Sequence, residues 1–182
     1  NSLYGNLMYL MLGGYRAIVT AIGRQTTSSM TSQCHRNFGK ESCLIVYGDT
    51  DSVALCFLID TDSLLTGEPG AVSKTINPPQ NVISSADVTD ARDVAVSFSE
   101  KTGKSGNRTV LRAKILETLI NKVIIPAFNK ELPLAPTLNI GATKDTYDPF
   151  IIHTAKMYCG KIPLNNGKSV AKGMSTKNKT SS

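Results

Sequence analysis

The sequence predicts an α+β fold built around an antiparallel sheet. A strand–turn–strand pattern occupies residues 43–59, an amphipathic helix occupies 109–128, and short strand-like segments separated by turn residues fill 137–174. At 182 residues the chain fits one domain, or one domain and part of another.

Residues 1–33 carry Leu3, Leu7, Leu10 and Met11, then Ala17, Ile18, Ala21 and Ile22. These sets fit helix faces, and Gly13-Gly14 reads as a break between two helices. In "LIVYGDTDSVALCF", Leu44 to Phe57, two apolar strands flank a turn at Gly48-Asp49-Thr50-Asp51, residues that tolerate chain reversal. Alternation puts Ile45, Tyr47 and Asp49 on one side unless the turn breaks the phase. Residues 60–108 are rich in Gly, Pro, Ser, Thr and Asn and read as a long insertion, with one short helix near Ala91–Lys101. "GEPGAVSKT" lacks the Gly-Lys-Ser/Thr end of a phosphate loop and is dismissed as one.

From Thr109 to Phe128, Leu111, Ile115, Leu119 and Val123 repeat every four residues, widened by Leu116, Ile120 and Ile124. This predicts a core-packing helix that Pro126 ends or kinks. Strands are expected in "TLNIGAT", "PFIIHTAKMYCGKI" and "KSVAKGM", with turns at "KDTYDP" and "PLNNGK". The tail 175–182 is polar.

A net charge of +6, spread along the chain, favours an anionic partner. Cys34, Cys43, Cys56 and Cys159 show no Cys-x-x-Cys spacing and read as reduced thiols of an intracellular protein. No signal peptide or membrane span is visible, since the apolar stretch Leu7–Ile22 is interrupted by Gly13, Gly14 and Arg16. The Asn-x-Ser/Thr matches at Asn107 and Asn178 read as chance. The abrupt start at Asn1 suggests a fragment of a longer protein, with a processed terminus as the alternative.

Asp49 and Asp51 are the chemical anomaly. Carboxylates in an apolar run are costly unless a cation or donors meet them. Two so close repel each other and raise each other's pKa, which a divalent cation relieves. Mg²⁺ is held by one or two carboxylates plus substrate phosphates. Two such ions about 4 Å apart activate an attacking oxygen and stabilise a leaving one. Asp-x-Asp alone would read as turn chemistry. The string Tyr47-Gly48-Asp49-Thr50-Asp51-Ser52, flanked by apolar strands, tilts the reading toward a metal site.

That string resembles motif C of B-family DNA polymerases, YGDTDS, letter for letter. "NSLYG", Asn1 to Gly5, resembles their motif B, and "VTAIGRQ", Val19–Gln25, is similar to the end of the helix that follows it. "TAKMYCGK", Thr154–Lys161, resembles the KKxY motif, with Lys156 and Tyr158 matching and Ala155 in place of the first Lys. "AKGM", Ala171–Met174, is similar to the Lys-Gly segment leading into the thumb. The four stand in the family's order and cover most of the chain.

The resemblance implies template-directed DNA synthesis, in which a primer 3′-hydroxyl attacks the α-phosphate of a deoxynucleoside triphosphate. It implies two Mg²⁺ ions, with Mn²⁺ as a substitute. It makes Asp51 the essential metal ligand, with Asp49 supporting the metal site or primer end. It places Asn1 near the triphosphate, Tyr4 under the nascent base pair, and Gly5 where close approach is needed. It has Lys156 and Tyr158 hold primer–template DNA, with Lys172 and Gly173 on the same path. If Lys156 and Tyr158 lie two apart on one strand, they share a face. A cation beside a flat ring suits a grip that ignores sequence. Taken alone, Lys156 and Tyr158 read as a solvated Lys and a half-buried Tyr, and Asn1 and Tyr4 as a helix cap and a core Tyr. Arg16 and Arg24 fit phosphate contacts or plain surface charge. His35 and His153 read as structural.

On this reading residues 1–33 are the end of the fingers, 34–59 the palm with its hairpin, and 60–108 a loop-rich insertion. Residues 109–136 are a palm helix backing the sheet, 137–174 the palm–thumb border, and 175–182 the start of the thumb or a frayed tail. The family's motif A acid, the Lys preceding NSxYG and any exonuclease segment are absent, so the 182 residues alone are expected not to polymerise. The insertion and the short spacing between motifs point to a large DNA virus, with the host nucleus as the expected compartment rather than the cytoplasm. The expected partners are primer–template DNA and deoxynucleoside triphosphates, with room for a processivity factor and no membrane. The competing reading is a non-catalytic DNA-binding relative. A reverse transcriptase or cyclase also uses hairpin acids, but NSLYG and the Lys-x-Tyr segment do not belong to those.

Overall fold

The structure, a computed structural model, describes residues 13–41, 43–49, 52–58, 65, 83–131, 145–154 and 156–173. It is mixed α+β, with two small antiparallel sheets. The chain divides into two compact units. Helix α1 (Gly13–Phe38) and strands β1 (Cys43–Asp49) and β2 (Ser52–Phe57) belong to the first. Helices α2 (Ser85–Lys101) and α3 (Arg108–Leu119), a π-helical segment (Ile120–Ile124) and strands β3 (Phe150–Thr154), β4 (Met157–Ile162) and β5 (Lys168–Lys172) belong to the second. The division falls within α4 (Ile125–Glu131).

Helix α1 is 26 residues long and starts at Gly13-Gly14; the helix expected before this pair lies outside the described residues. Helix α1 runs past residue 33, so the boundary drawn there falls inside it. Its middle is rich in Ser and Thr, whose hydroxyls bond back one turn: Thr26 to the Ile22 carbonyl at 2.8 Å, Thr27 to Gly23 at 3.1 Å, and Ser32 to Ser28 at 3.0 Å. Met30, Gln33, Cys34, Asn37 and Phe38 are buried, the i, i+3, i+4, i+7, i+8 stripe of a packed face. The helix packs on the hairpin, where the Phe38 ring meets Phe57 edge-on with centroids 4.9 Å apart. Gly39, at φ +83°, stops it by taking the left-handed conformation and bonding its N–H to the His35 carbonyl.

Strands β1 and β2 pair from Cys43–Phe57 to Asp49–Ser52. Ile45 opposes Leu55 but Tyr47 opposes Ala54, so Val46 is the extra residue of a bulge. The bulge breaks the expected alternation from Ile45 through Tyr47 to Asp49. Gly48 and Asp49 are strand residues, not turn residues, and only Thr50 and Asp51 connect the strands.

In the second unit, the short helix expected near Ala91–Lys101 is the 17-residue helix α2, which starts six residues earlier. Ser84 and Asp87 form a capping box, Ser84 N–H to Asp87 Oδ2 at 2.8 Å and Asp87 N–H to Ser84 Oγ at 3.2 Å. Its buried face is Val88, Ala91, Ala95 and Ser99, small residues that carry a weak hydrophobic signal. It packs along α3, where the Lys114 ammonium sits 5.0 Å from the Phe98 ring centre. Asn107 caps α3 by accepting from the Val110 N–H at 3.2 Å. The helix does not end near Pro126. Proline lacks an N–H and its ring crowds the carbonyl four residues back. The ladder accommodates this with a π segment, Ile125 N–H reaching the Ile120 carbonyl, and helix continues to Glu131. Helix α3 was expected to back the sheet; within its own unit it packs on α2 and on the 3₁₀ turn Pro163–Asn165.

Strands β3, β4 and β5 form an antiparallel sheet in that order. The single stretch read as "PFIIHTAKMYCGKI" is two strands, and "PLNNGK" is the turn between β4 and β5. "TLNIGAT" lies outside the described residues.

Candidate functional site

In the first unit, Arg24, Thr27, Ser28 and Thr31 stand at i, i+3, i+4 and i+7 on α1, the strip beside its buried stripe. With Ile45, Gly48, Ser52 and Val53 of the hairpin they line an open groove of about 450 Å³. Thr27 Oγ1 donates to the Gly23 and Arg24 carbonyls, which leaves its oxygen able to accept. Ser52, which lines the groove, pairs with Asp49 at the end of the ladder, so the groove reaches the hairpin tip.

Asp49 therefore closes β1, while Asp51 and Thr50 lie outside the described residues, as do Asn1, Tyr4 and Gly5 of the second polymerase-like string. A carboxylate pair offers hard oxygen donors, the donor set that fits Mg²⁺. Among the described residues no group of three or more His, Cys, Asp and Glu side chains is placed to hold a metal. Deeper in this unit Cys34 and Cys43 are fully buried and share a hydrogen bond between their sulfurs. That bond, with burial, pushes the Cys34 thiol up, and it holds Cys43 down. All four cysteines are free thiols.

In the second unit, Lys156 is not on a strand. It stands in the two-residue turn that joins Thr154 to Met157, in the left-handed conformation at φ +63°. The shared face expected for Lys156 and Tyr158 therefore does not exist. The sheet instead brings Tyr158 to Lys172: the two pair directly across β4 and β5, and Lys172 Nζ lies 5.7 Å from the Tyr158 ring centre. Gly173, at φ +66°, passes so close to the Lys156 turn that a Cβ would collide with the Lys156 carbonyl oxygen and lie 2.9 Å from Met157 Cγ. Four residues from two separate stretches, Lys156, Tyr158, Lys172 and Gly173, thus gather at one end of the sheet.

Aromatic neighbours that the sequence reading did not single out complete this end. Tyr147 stacks on Phe150 with centroids 5.0 Å apart, and Phe150 meets Tyr158 edge-on at 5.3 Å. Gly160, opposite Phe150, makes room for them, since a Cβ there would lie 2.8 Å from Tyr147 Cδ1 and from the Pro149 carbonyl oxygen. Burial pushes the Tyr147 phenol up to about 12, helped by the Asp145 carboxylate, to which the phenol donates at 3.2 Å. The signal for this cluster was the Tyr-x-x-Phe spacing before β3; that for the groove was the Arg24–Thr31 periodicity.

Compared with family models, with curated proteins and with solved structures, the chain matches none of them. Among the described residues no helix is long and apolar enough to cross a membrane.

Proposed function

We propose that the chain is the palm and thumb-border part of a B-family DNA polymerase, acting in template-directed deoxynucleotide transfer. The observation that supports this reading is that Tyr47, Gly48 and Asp49 end one strand and Ser52 begins its antiparallel partner, with the Asp49–Ser52 pair closing the ladder. Asp49 ends β1 and Ser52 begins β2, so the string's two acids flank the junction of the paired strands in sequence. Mg²⁺ held there supplies charge neutralisation of the triphosphate and activation of the primer hydroxyl. Asp49 and Asp51 are the residues to hold it. Gly48 keeps the strand beside them free of a side chain. The second support is the gathering of Lys156, Tyr158, Lys172 and Gly173, which gives a duplex a cation and a ring edge without reading bases. The motif A acid comes from outside these residues.

Template-dependent incorporation tests the reading. The protein carrying these residues is given a primer–template duplex, Mg²⁺ and one deoxynucleotide at a time. Extension with the complementary nucleotide alone is expected. Extension without regard to template, or none with DNA still bound, rejects the reading; the second result is that of a non-catalytic relative.

A further inference from the structure

Cys34 and Cys43 have no role in the reading above. Cys34 stands four residues before the end of α1, and Cys43 opens β1. Both are fully buried, and their sulfurs share a hydrogen bond. The contact follows from the packing. Cys34 and Phe38 stand at i and i+4 on α1, so they share a face. Cys43 and Phe57 oppose each other at the open end of the hairpin. The Phe38 and Phe57 rings meet with centroids 4.9 Å apart, and beside them the two thiols meet. Packing alone asks only for small apolar groups there; two thiols in contact are also two oxidisable sulfurs within reach of one bond. Cys56 does not compete for either. It opposes Leu44, the next position along the ladder, so its side chain lies on the other face from Cys43. Cys159 belongs to the second unit. The shared hydrogen bond pushes the Cys34 thiol up and holds Cys43 down, which makes Cys43 the attacking sulfur.

We propose that Cys34 and Cys43 are a peroxide-sensing pair, which hydrogen peroxide converts to a disulfide that clamps the end of α1 to the start of β1. A fully buried pair shuts out a bulky oxidant and admits, through local opening of the chain, a molecule near the size of water. The Cys43 sulfur attacks one peroxide oxygen, the O–O bond breaks, and the other oxygen leaves as hydroxide and takes up a proton to become water. Cys43 is then a sulfenic acid. The Cys34 sulfur attacks the Cys43 sulfur, the S–S bond forms, the S–O bond breaks, and the hydroxyl leaves as water with the Cys34 proton. The two thiols lose two electrons, and both peroxide oxygens end as water. The bridge closes a loop of ten residues, Cys34 to Cys43, and so removes freedom from the unfolded chain. The pair reacts in this way whether or not the chain serves a polymerase, so its test uses no DNA.

The test treats the folded 182-residue chain with a small molar excess of hydrogen peroxide, quenches with catalase, unfolds in urea with N-ethylmaleimide, and maps peptides by mass. A Cys34–Cys43 linked peptide is expected, with both cysteines lost to maleimide and recovered after dithiothreitol. Cys34→Ser is expected to stop at the sulfenic acid and give a dimedone adduct on Cys43, whereas Cys43→Ser gives none on Cys34. Circular dichroism confirms that each variant is folded, and the wild-type map decides the bridge without either. The oxidised chain is expected to melt about 5–10 °C above the reduced one, the shift that closing so short a loop gives. Cys34 and Cys43 both still open to maleimide after Cys56 and Cys159 have oxidised would overturn the proposal. So would a native-state bridge that draws in Cys56 or Cys159, a dimedone adduct on Cys34 in Cys43→Ser, or equal melting of the two forms.

Discussion

Tyr158 and Lys172 face each other across β4 and β5, the Lys172 ammonium 5.7 Å from the centre of the Tyr158 ring. An exposed cation–π pair of this kind contributes about 0.5–1 kcal/mol. Lys172→Ala should lower stability by that amount in urea unfolding, and Lys172→Arg should keep it. A Lys172→Ala chain as stable as wild type would mean that the pair is incidental.

Gly160 and Gly173 are fixed by crowding. A methyl at Gly160 would press on the Tyr147 ring and the Pro149 carbonyl, both 2.8 Å away. Overpacking of this sort costs about 1–3 kcal/mol, and Gly160→Ala should show it in denaturant midpoint. Gly173→Ala adds a left-handed backbone to a collision with the Lys156 carbonyl and should cost at least as much.

The cysteines should divide by burial. Cys34 and Cys43 are fully buried free thiols that share a hydrogen bond, while Cys56 and Cys159 are half-buried. Iodoacetamide followed by peptide mass mapping should label Cys56 and Cys159 in the native chain, and Cys34 and Cys43 only after unfolding. Early labelling of Cys34 would contradict the packing of α1 on β1.

Tyr147 gives a pH dependence of defined sign. Its phenol is raised from 10.0 to about 12 in the folded chain, so the unfolded chain loses that proton first. Its contribution is complete below pH 10.0 and is lost as pH rises toward about 12. Ultraviolet titration should show a late phenol transition that is lost in Tyr147→Phe. A profile identical in the variant would refute the assignment.

Legibility followed the strength of periodic signals. The β1–β2 hairpin and the helix from residue 109 were readable because Ile, Val and Leu recur at the right period. Helix α2 was readable only in its second half, near Ala91–Lys101, because its buried face is Val88, Ala91, Ala95 and Ser99 and its capping box, Ser84 to Asp87, is made of the residues that also make loops. The Val46 bulge and the π segment before Pro126 depend on pairing and on a missing N–H rather than on composition. For the candidate site, the strings at Tyr47–Ser52 and Lys156–Tyr158 stood out. That Tyr158 meets Lys172 rather than Lys156 depends on a left-handed turn and a strand register, which local sequence does not specify.

The central claim is that Asp49 and Asp51 serve nucleotidyl transfer. Single-nucleotide incorporation on a saturated primer–template, wild type against Asp51→Asn in the protein that carries these residues, tests it most directly. Loss of a metal ligand removes several kcal/mol of transition-state stabilisation, so a fall of about 10³-fold or more in rate with DNA affinity unchanged is expected. Incorporation by Asp51→Asn at the wild-type rate would contradict the account.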